Sequence, residues 1–233
     1  MLNYPHRPII IASPHERNDA LVEFVRFKLP DRRIIQINSP SDVTLEFFKK
    51  IGPEYIFFPH WSWIIVSEIY SNFDCIIFHM TDLPYGRGGS PLQNLIIRGH
   101  KETKISALKC SSILDGGPIY LKRHLSLHGT AEEILSVASN IISEMILEIV
   151  DKKLIPVEQK GDVVEFNRRR PEDGNIYKLS SLSEIYDYIR MLDGKGYPQA
   201  FVDTEYTHME FNDAKLCDGY VEAKVVIRRK GID

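Results

Sequence analysis

Short apolar runs alternate with amphipathic stretches through the first half of the chain. Pro8-Ile9-Ile10-Ile11-Ala12, Arg33-Ile34-Ile35-Gln36-Ile37, Glu54-Tyr55-Ile56-Phe57-Phe58 and Cys75-Ile76-Ile77-Phe78 are too short for helices and too uniformly apolar for half-exposed strands. They predict central strands of a parallel sheet covered on both faces. Between them, helical spacing appears at Leu21, Phe24, Val25 and Leu29 after a start within Ser13–Asn18. It recurs at Val43, Leu45, Phe47 and Phe48 behind a Ser41-Asp42 cap, and again from Ile64 to Tyr70. Such alternation argues an α/β fold built on a Rossmann-like, open, mostly parallel twisted sheet.

Beyond Phe78 the pattern changes. A turn-rich loop leads to Ser90, which reads as a helix N-cap with Pro91 at the first helical position and Gln93 completing a capping box. The strands expected over 104–109 and 118–125 are joined by the loop Ser111–Gly117 and add an antiparallel element. Thr130-Ala131-Glu132-Glu133 opens a long helix to about Val150, and its broad apolar face predicts packing on the sheet. Composition shifts near Asp151. The charged, turn-forming stretch Asn167–Gly174, a helix from Ser180 or Ser181, and strand-like runs at 200–204, 208–211 and 220–227 predict a small β-rich C-terminal appendage. The expected organisation is therefore a main domain over 1–150 and a linker plus small helix/β-rich subdomain over 151–233.

Composition narrows the function. Of 233 residues, 29 are Lys or Arg and 32 are Asp or Glu, for a formal net charge of −3. A protein that neutralises nucleic-acid phosphates usually carries a basic excess, so a small substrate is expected and no nucleic acid. No apolar run is long enough to span a bilayer, and the first residues lack the apolar core of a secretory signal. Three scattered cysteines read as free thiols of a cytoplasmic protein. No Gly-x-Gly-x-x-Gly follows the first strand, which argues against a nicotinamide dinucleotide.

The candidate chemistry centres on His79, delivered by an apolar strand to the edge of a glycine-rich loop. Metal ligation lacks clustered donors, and no Gly-x-Ser-x-Gly elbow marks a nucleophile. Acid/base work remains, with Asp115 in the loop between two strands as the carboxylate that would orient the ring. Taken alone, such a pair is more often a capped turn and a satisfied histidine.

The pattern His79-x-x-x-Leu83-Pro84-x-x-Arg87-Gly88-x-x-Pro91-Leu92-Gln93, then Lys101-Glu102-Thr103, then Leu114-Asp115-Gly116-Gly117-Pro118-Ile119, resembles the N-formyltransferases that use 10-formyltetrahydrofolate. The likeness is good over about Tyr55–Leu125. It continues more weakly through Arg168-Arg169-Arg170-Pro171-Glu172-Asp173-Gly174 and Tyr197-Pro198-x-Ala200-Phe201, a tail seen in sugar-modifying members. The resemblance implies that an acceptor amine attacks the formyl carbon, giving a tetrahedral intermediate that collapses to tetrahydrofolate. His79 would shuttle a proton and help hold the oxyanion, while Asp115 would orient His79 or take the amine's proton through water. It also implies a folate site along Trp61, Ser62, Thr81, Asp82, Leu83, Pro84, Lys109, Ile113 and Leu114. The family's asparagine two residues before its histidine is replaced here by Ile77, which cannot donate a hydrogen bond. His60, Ser62 or the Trp61 indole is the expected substitute.

Length, acidity and the arginine tail point the acceptor towards a UDP- or dTDP-linked 4-amino-4,6-dideoxy sugar for surface polysaccharide or nonulosonic acid synthesis. Arg87, Arg168 and Arg170 would meet the diphosphate, and Tyr197 or Phe201 the base. No metal and no membrane are expected, and a homodimer is one expected form. A folate- or nucleotide-sugar-binding protein without catalysis, a formyltetrahydrofolate hydrolase and a glycinamide ribonucleotide-type enzyme stay open as alternatives.

Overall fold

The computed structural model describes residues 4–230. In chain order the elements are β1 (Ile9–Ala12), α1 (Asp19–Lys28), β2 (Ile34–Ile37), α2 (Leu45–Ile51), β3 (Tyr55–Phe58), α3 (Ser67–Tyr70), β4 (Cys75–His79), β5 (Tyr85–Gly88), α4 (Pro91–Ile97) and β6 (Glu102–Lys109). There follow β7 (Ile119–Ser126), α5 (Ala131–Lys152), β8 (Val164–Phe166), α6 (Leu182–Leu192), β9 (Ala200–Asp203), β10 (Thr207–Cys217) and β11 (Tyr220–Arg229). These make two compact units. One comprises the chain up to Gly88 with Lys104–Leu125 and Ser136–Glu165; the other comprises Gly89–Thr103, Ser126–Leu135 and the chain from Phe166 onward.

The first unit carries a six-stranded sheet in the order β2-β1-β3-β4-β6-β7. The first four of these strands run parallel, and β6 lies antiparallel to β4 with His79 opposite Ser106. The apolar runs explain the arrangement: Ile9, Ile10, Ile11, Ile56, Phe57, Phe58, Cys75 and Ile76 are all fully buried, as strands covered on both faces must be. The expected mostly parallel α/β sheet is thus observed. Ile77 packs against a buried cluster that includes Ile10, Phe48, Ile56 and Phe58, and Trp61 and Cys110 pack on the same cluster. His79, two residues further along the same face of β4, is buried at the strand's C-terminal end, as are the last residues of β1 and β3.

Local side-chain caps set the starts of α2, α5 and α6. The Thr130 and Glu133 side chains form the expected capping box at α5, with Thr130 N–H to Glu133 Oε2 2.8 Å and Glu133 N–H to Thr130 Oγ1 3.3 Å. Two starts differ from expectation. Ser39 caps a 3-10 turn at Pro40–Asp42 and Thr44 caps α2, so the Ser41-Asp42 pair sits inside the turn rather than at the helix start. Of the stretch Ile64–Tyr70 only Ser67–Tyr70 is helical, because Val66 is extended and acts as the N-cap.

In the second unit, β11, β10 and β9 form an antiparallel sheet against which α6 packs, and α4 packs on α6. Ser181 and Glu184 form the capping box of α6. The capping box expected at Ser90 is absent. Ser90 adopts a left-handed φ of 48°, its hydroxyl accepts from the Arg169 N–H at 3.1 Å, and Gln93 is buried, donating to the Met191 carbonyl at 3.2 Å. Tertiary contact overrides local capping here, since a Cβ on Gly89 would lie 2.5 Å from the Arg168 Cα. The Asn94 amide instead ties the helix start together, donating to the carbonyls of Gly89, Ser90 and Asn167 at 3.0, 3.1 and 2.9 Å.

Candidate active site

The site lies within the first unit, where β4 ends and the loop before β7 comes alongside. His79 Nδ1 sits 3.4 Å from Asp115 Oδ2, with both side chains buried. Its other ring nitrogen, Nε2, lies 2.7 Å from the Gly86 carbonyl on β5. Nε2 must carry a proton to make that bond. A neutral ring then turns the Nδ1 lone pair towards a carboxylate, whereas the imidazolium donates from both nitrogens.

Asp115 is held from three directions. Its Oδ2 accepts the Gly88 N–H at 2.9 Å. Its backbone takes a left-handed φ of 51°, a conformation that Asp tolerates better than most residues. Its carbonyl, and that of Gly117, accept from Gln159 Nε2 at 2.7 and 2.9 Å. Gln159 Oε1 in turn accepts from Arg87 Nε and Nη2 at 3.2 and 2.8 Å. The two glycines are sterically required: a Cβ on Gly116 would lie 2.4 Å from Ile113 Cγ2, and one on Gly117 would lie 1.8 Å from the Lys109 carbonyl oxygen.

The expected folate residues stand in different states, and Lys109, in register with Ile76, lies towards the opposite end of β4 from His79. Thr81 and Leu83 are fully or nearly fully buried, and Pro84 is buried behind a cis peptide bond. The Thr81 hydroxyl donates to the Gly86 carbonyl at 3.3 Å, and its own carbonyl accepts from Ser106. Asp82 pairs with Lys122 and Lys104. Partial burial works against its ionisation, yet hydrogen bonds from both lysines win and hold the carboxyl below the usual range. Lys109 is engaged with Asp74 at 2.6 Å. Ser62 is exposed, and Ile113 and Leu114 present 60% and 70% of their surface to solvent. Trp63 and Ile64 are likewise open to solvent, exposed at 47% and 90%.

Among the donors expected to replace the amide at Ile77, the structure separates three candidates. The Nε2 of His60 lies 3.2 Å from Ser139 Oγ, which donates to Asn18 Oδ1, so the ring is engaged in a buried polar relay of α5 and the β1 end. Burial, with the charges of Arg17 and His15 beside it, pushes this imidazole down to about 3. Ser62 faces solvent. The Trp61 indole N–H is buried with no hydrogen-bond partner among the described residues, and its ring stands against Phe58 and Trp63. A buried, unsatisfied donor is costly and fits a site that a ligand's acceptor completes.

The expected acceptor residues divide between the units. Arg87 lies in the first unit and is committed to Gln159. Arg168, Arg170, Tyr197 and Phe201 belong to the second unit. Arg168 and Arg170 are exposed, Tyr197 is half-buried, and the Phe201 ring lies 5.1 Å from that of His208. Gln159 was not legible in the sequence. It stands in a polar stretch without periodicity, and only its contacts reveal it.

A buried histidine–carboxylate pair at the C-terminal end of a parallel sheet, beside glycine-rich loops, is an arrangement suited to acid/base chemistry. The comparisons with known proteins narrow this chemistry. A family model described as the C-terminal domain of methionyl-tRNA formyltransferase matches residues 171–228. The chain is similar to the methionyl-tRNA formyltransferase of Thermodesulfovibrio yellowstonii, 28% identical over 158 residues that cover 64% of this chain and 51% of that protein. It thus spans about half the length of the curated relatives it matches. A solved structure named methionyl-tRNA formyltransferase from Clostridium thermocellum superposes with a TM-score of 0.94 at 47% identity, covering 97% of this chain and all of that one. The chain belongs to the formyltransferase family. Members of this family use 10-formyltetrahydrofolate. HypX of Aquifex aeolicus, solved with tetrahydrofolic acid, shares the fold at 16% identity and a TM-score of 0.72 over 90% of this chain and 38% of that one. A structure named sugar N-formyltransferase from Shewanella matches at 16% identity, and one named 4-N formyltransferase from Francisella tularensis at 13%, a likeness of fold alone.

Among the described residues no helix is long and apolar enough to cross a membrane.

Proposed function

We propose that this protein transfers a formyl group from 10-formyltetrahydrofolate to a primary amine, with His79 and Asp115 as its proton-handling pair. The observation that carries this reading is the buried 3.4 Å contact of His79 Nδ1 with Asp115, fixed by the Gly88 N–H and by Gln159. The folate supplies the formyl carbon. His79 takes a proton at Nδ1, where Asp115 stabilises the imidazolium, while its Nε2–H stays on the Gly86 carbonyl. The buried Trp61 N–H is the donor we assign to an acceptor atom of the bound folate, in place of the amide that Ile77 cannot provide. The exposed Ile113, Leu114, Trp63 and Ile64 fit the role of covering an aromatic ring system once it is in place, which would exclude water.

For the acceptor, similarity favours the amino group of a methionyl-tRNA. The relative at 47% identity bears that name, and this chain covers all of it, so modest length does not separate the tRNA class from the sugar class. This reverses the preference for a nucleotide-linked amino sugar drawn from length and tail alone. The sugar reading keeps one specific support: a net charge of −3, without the basic excess that tRNA binding ordinarily uses. Incubation with 10-formyltetrahydrofolate and either methionyl-tRNA or UDP- and dTDP-linked 4-amino-4,6-dideoxy sugars distinguishes them. Formylated methionyl-tRNA is the expected product. Formylated sugar alone overturns the tRNA assignment, and release of formate with no acceptor overturns the transferase assignment itself.

A further inference from the structure

His60, a hydrogen-bond donor on the sequence alone, takes the opposite polarity in the fold. The Ser139 hydroxyl has one proton and gives it to Asn18 Oδ1 at 2.7 Å, while Asn18 Nδ2 donates to Ser13 Oγ at 2.7 Å. Towards His60 Nε2, 3.2 Å away, Ser139 can therefore only accept. Nε2 carries the ring's proton, and Nδ1 is left with a bare lone pair. That lone pair has no hydrogen-bond partner among the described residues. The buried side-chain polar atoms left unpaired there are Trp61 Nε1 and Gln199 Oε1, so His60 Nδ1 opens onto accessible surface of a half-buried residue. The ring is presented from a left-handed φ of 50°, an uncommon backbone state of the kind that clusters at functional sites.

The place of His60 in the sheet names its ligand. In the order β2-β1-β3-β4 the chain winds one way from β1 and the other way from β3. The crevice outside the carboxyl ends of these two strands is thus the switch point where open α/β sheets take ligands. Ser13, just past β1, and His60, just past β3, stand at its two lips. Phe58 lies beside Ile77 in the parallel register, so His60 and His79 each come two residues later on neighbouring strands, which are spaced about 4.8 Å apart. On its other side β4 meets β6, which leads to the Asp115 loop. Two substrates have to meet at His79. With the folate assigned to Trp61 and the Ile113–Leu114 loop, the crevice between β1 and β3 is the side left for the amine. Charge selects its form. Arg17 and His15 lie close enough to act on the His60 ring, and positive charge disfavours an ammonium ion against the neutral amine, which has the lone pair that attacks.

We infer that His60 positions the amine substrate, its bare Nδ1 accepting an N–H of the un-ionised amino group in the crevice between β1 and β3. This rests on the formyl-transfer reading, but not on the choice between an aminoacyl ester and an amino sugar. Of the amine's two hydrogens, the one on Nδ1 stays in the amide product. The other is the proton that His79 removes as the new C–N bond forms. The bond from the formyl carbon to the folate nitrogen then breaks, and that nitrogen takes the proton from His79.

Two measurements test this. Nitrogen-15 spectra of the histidine-labelled chain read the tautomer. His60 should show a protonated Nε2 and a bare Nδ1, and the Nδ1 signal should move when methionyl-tRNA, or a dTDP-linked 4-amino-4,6-dideoxy sugar, is added without folate. Steady-state transfer reads the role. His60→Asn keeps the left-handed backbone but has a shorter side chain, and it should cut kcat/KM for the amine about tenfold while KM for 10-formyltetrahydrofolate stays unchanged. Ser139→Ala leaves the ring in place and frees its proton to move, so a second tautomer should appear and kcat/KM for the amine should fall by less, about threefold. A merely structural role would move the constants of both substrates together. A proton on Nδ1 in the wild type, amine kinetics within about threefold of wild type in His60→Asn, or a rise in the folate KM alone overturns the assignment. Absence of transfer from the wild type to any amine overturns the formyl-transfer reading, and this assignment with it.

Discussion

Replacing Gln159 tests whether the Asp115 loop is positioned from outside the loop. Its side chain makes four contacts: Nε2 to the carbonyls of Asp115 and Gly117 at 2.7 and 2.9 Å, and Oε1 from Arg87 Nε and Nη2 at 3.2 and 2.8 Å. Gln159→Leu keeps the bulk and strands two carbonyls and a guanidinium in a half-buried place, at a cost of about 1–3 kcal/mol to the native loop. The Gly88 N–H still holds the Asp115 carboxylate, so the pair loosens rather than disperses. A shift of about 1 Å in a reacting group costs on the order of a hundredfold in rate, so we expect kcat to fall roughly tenfold to a hundredfold. KM for the folate should change little, because Gln159 touches the loop's backbone and not its exposed rim. Gln159→Glu keeps the length and the acceptor for Arg87 but loses both donors and sets a carboxylate against two carbonyls. It should be at least as slow as the leucine variant. Steady-state formyl transfer with varied 10-formyltetrahydrofolate measures both constants. If both variants keep kcat within about threefold of the wild type, the clamp is structural ornament and the positioning argument fails.

Two further outcomes follow from the same geometry. Gly117→Ala drives a methyl group into the Lys109 carbonyl, where a Cβ would stand at 1.8 Å, so the loop must move and transfer should drop by a factor on the order of a hundred while the sheet persists by circular dichroism. His60, depressed to about 3 in the fold against an ordinary value near 6.5, stays neutral while the unfolded chain takes up a proton. It therefore removes stability as pH falls from about 6.5 towards 3, with a slope of up to about 1.4 kcal/mol per pH unit. His60→Asn, which tolerates the left-handed φ of 50° and does not titrate, should show a shallower loss than the wild type in urea titrations between pH 6.5 and 4.

Much of this architecture was legible because its causes are local. Uniformly apolar four-residue runs give buried parallel strands, and the Thr130/Glu133 pair gives a helix start that depends on nothing beyond one turn. Ser90 misled because its neighbour Gly89 is pressed against Arg168, and a contact across more than seventy positions outweighs a cap of about 1 kcal/mol. β5 and β8 escaped notice for a related reason. Tyr85-Gly86-Arg87-Gly88 has little strand propensity and is extended only because Val164–Phe166 pairs with it. At the site, His79 and Asp115 could be named from the motif, since loop glycines and a strand-end histidine leave a sequence trace. Gln159 left none, for a glutamine in a polar stretch looks like any solvated residue until its partners are known. His60 reads the same in the sequence whether its ring is free to serve the site or, as in the fold, is hydrogen-bonded to Ser139.

The central claim is that the buried His79–Asp115 pair drives amine-dependent formyl transfer, and its most direct test is the appearance of tetrahydrofolate from 10-formyltetrahydrofolate, with and without acceptor amine, in wild type and His79→Ala. The account predicts release that requires the amine and falls by a factor on the order of a hundred or more in the variant, with folate binding retained. Release that ignores the amine, or that survives the loss of His79 undiminished, would contradict it.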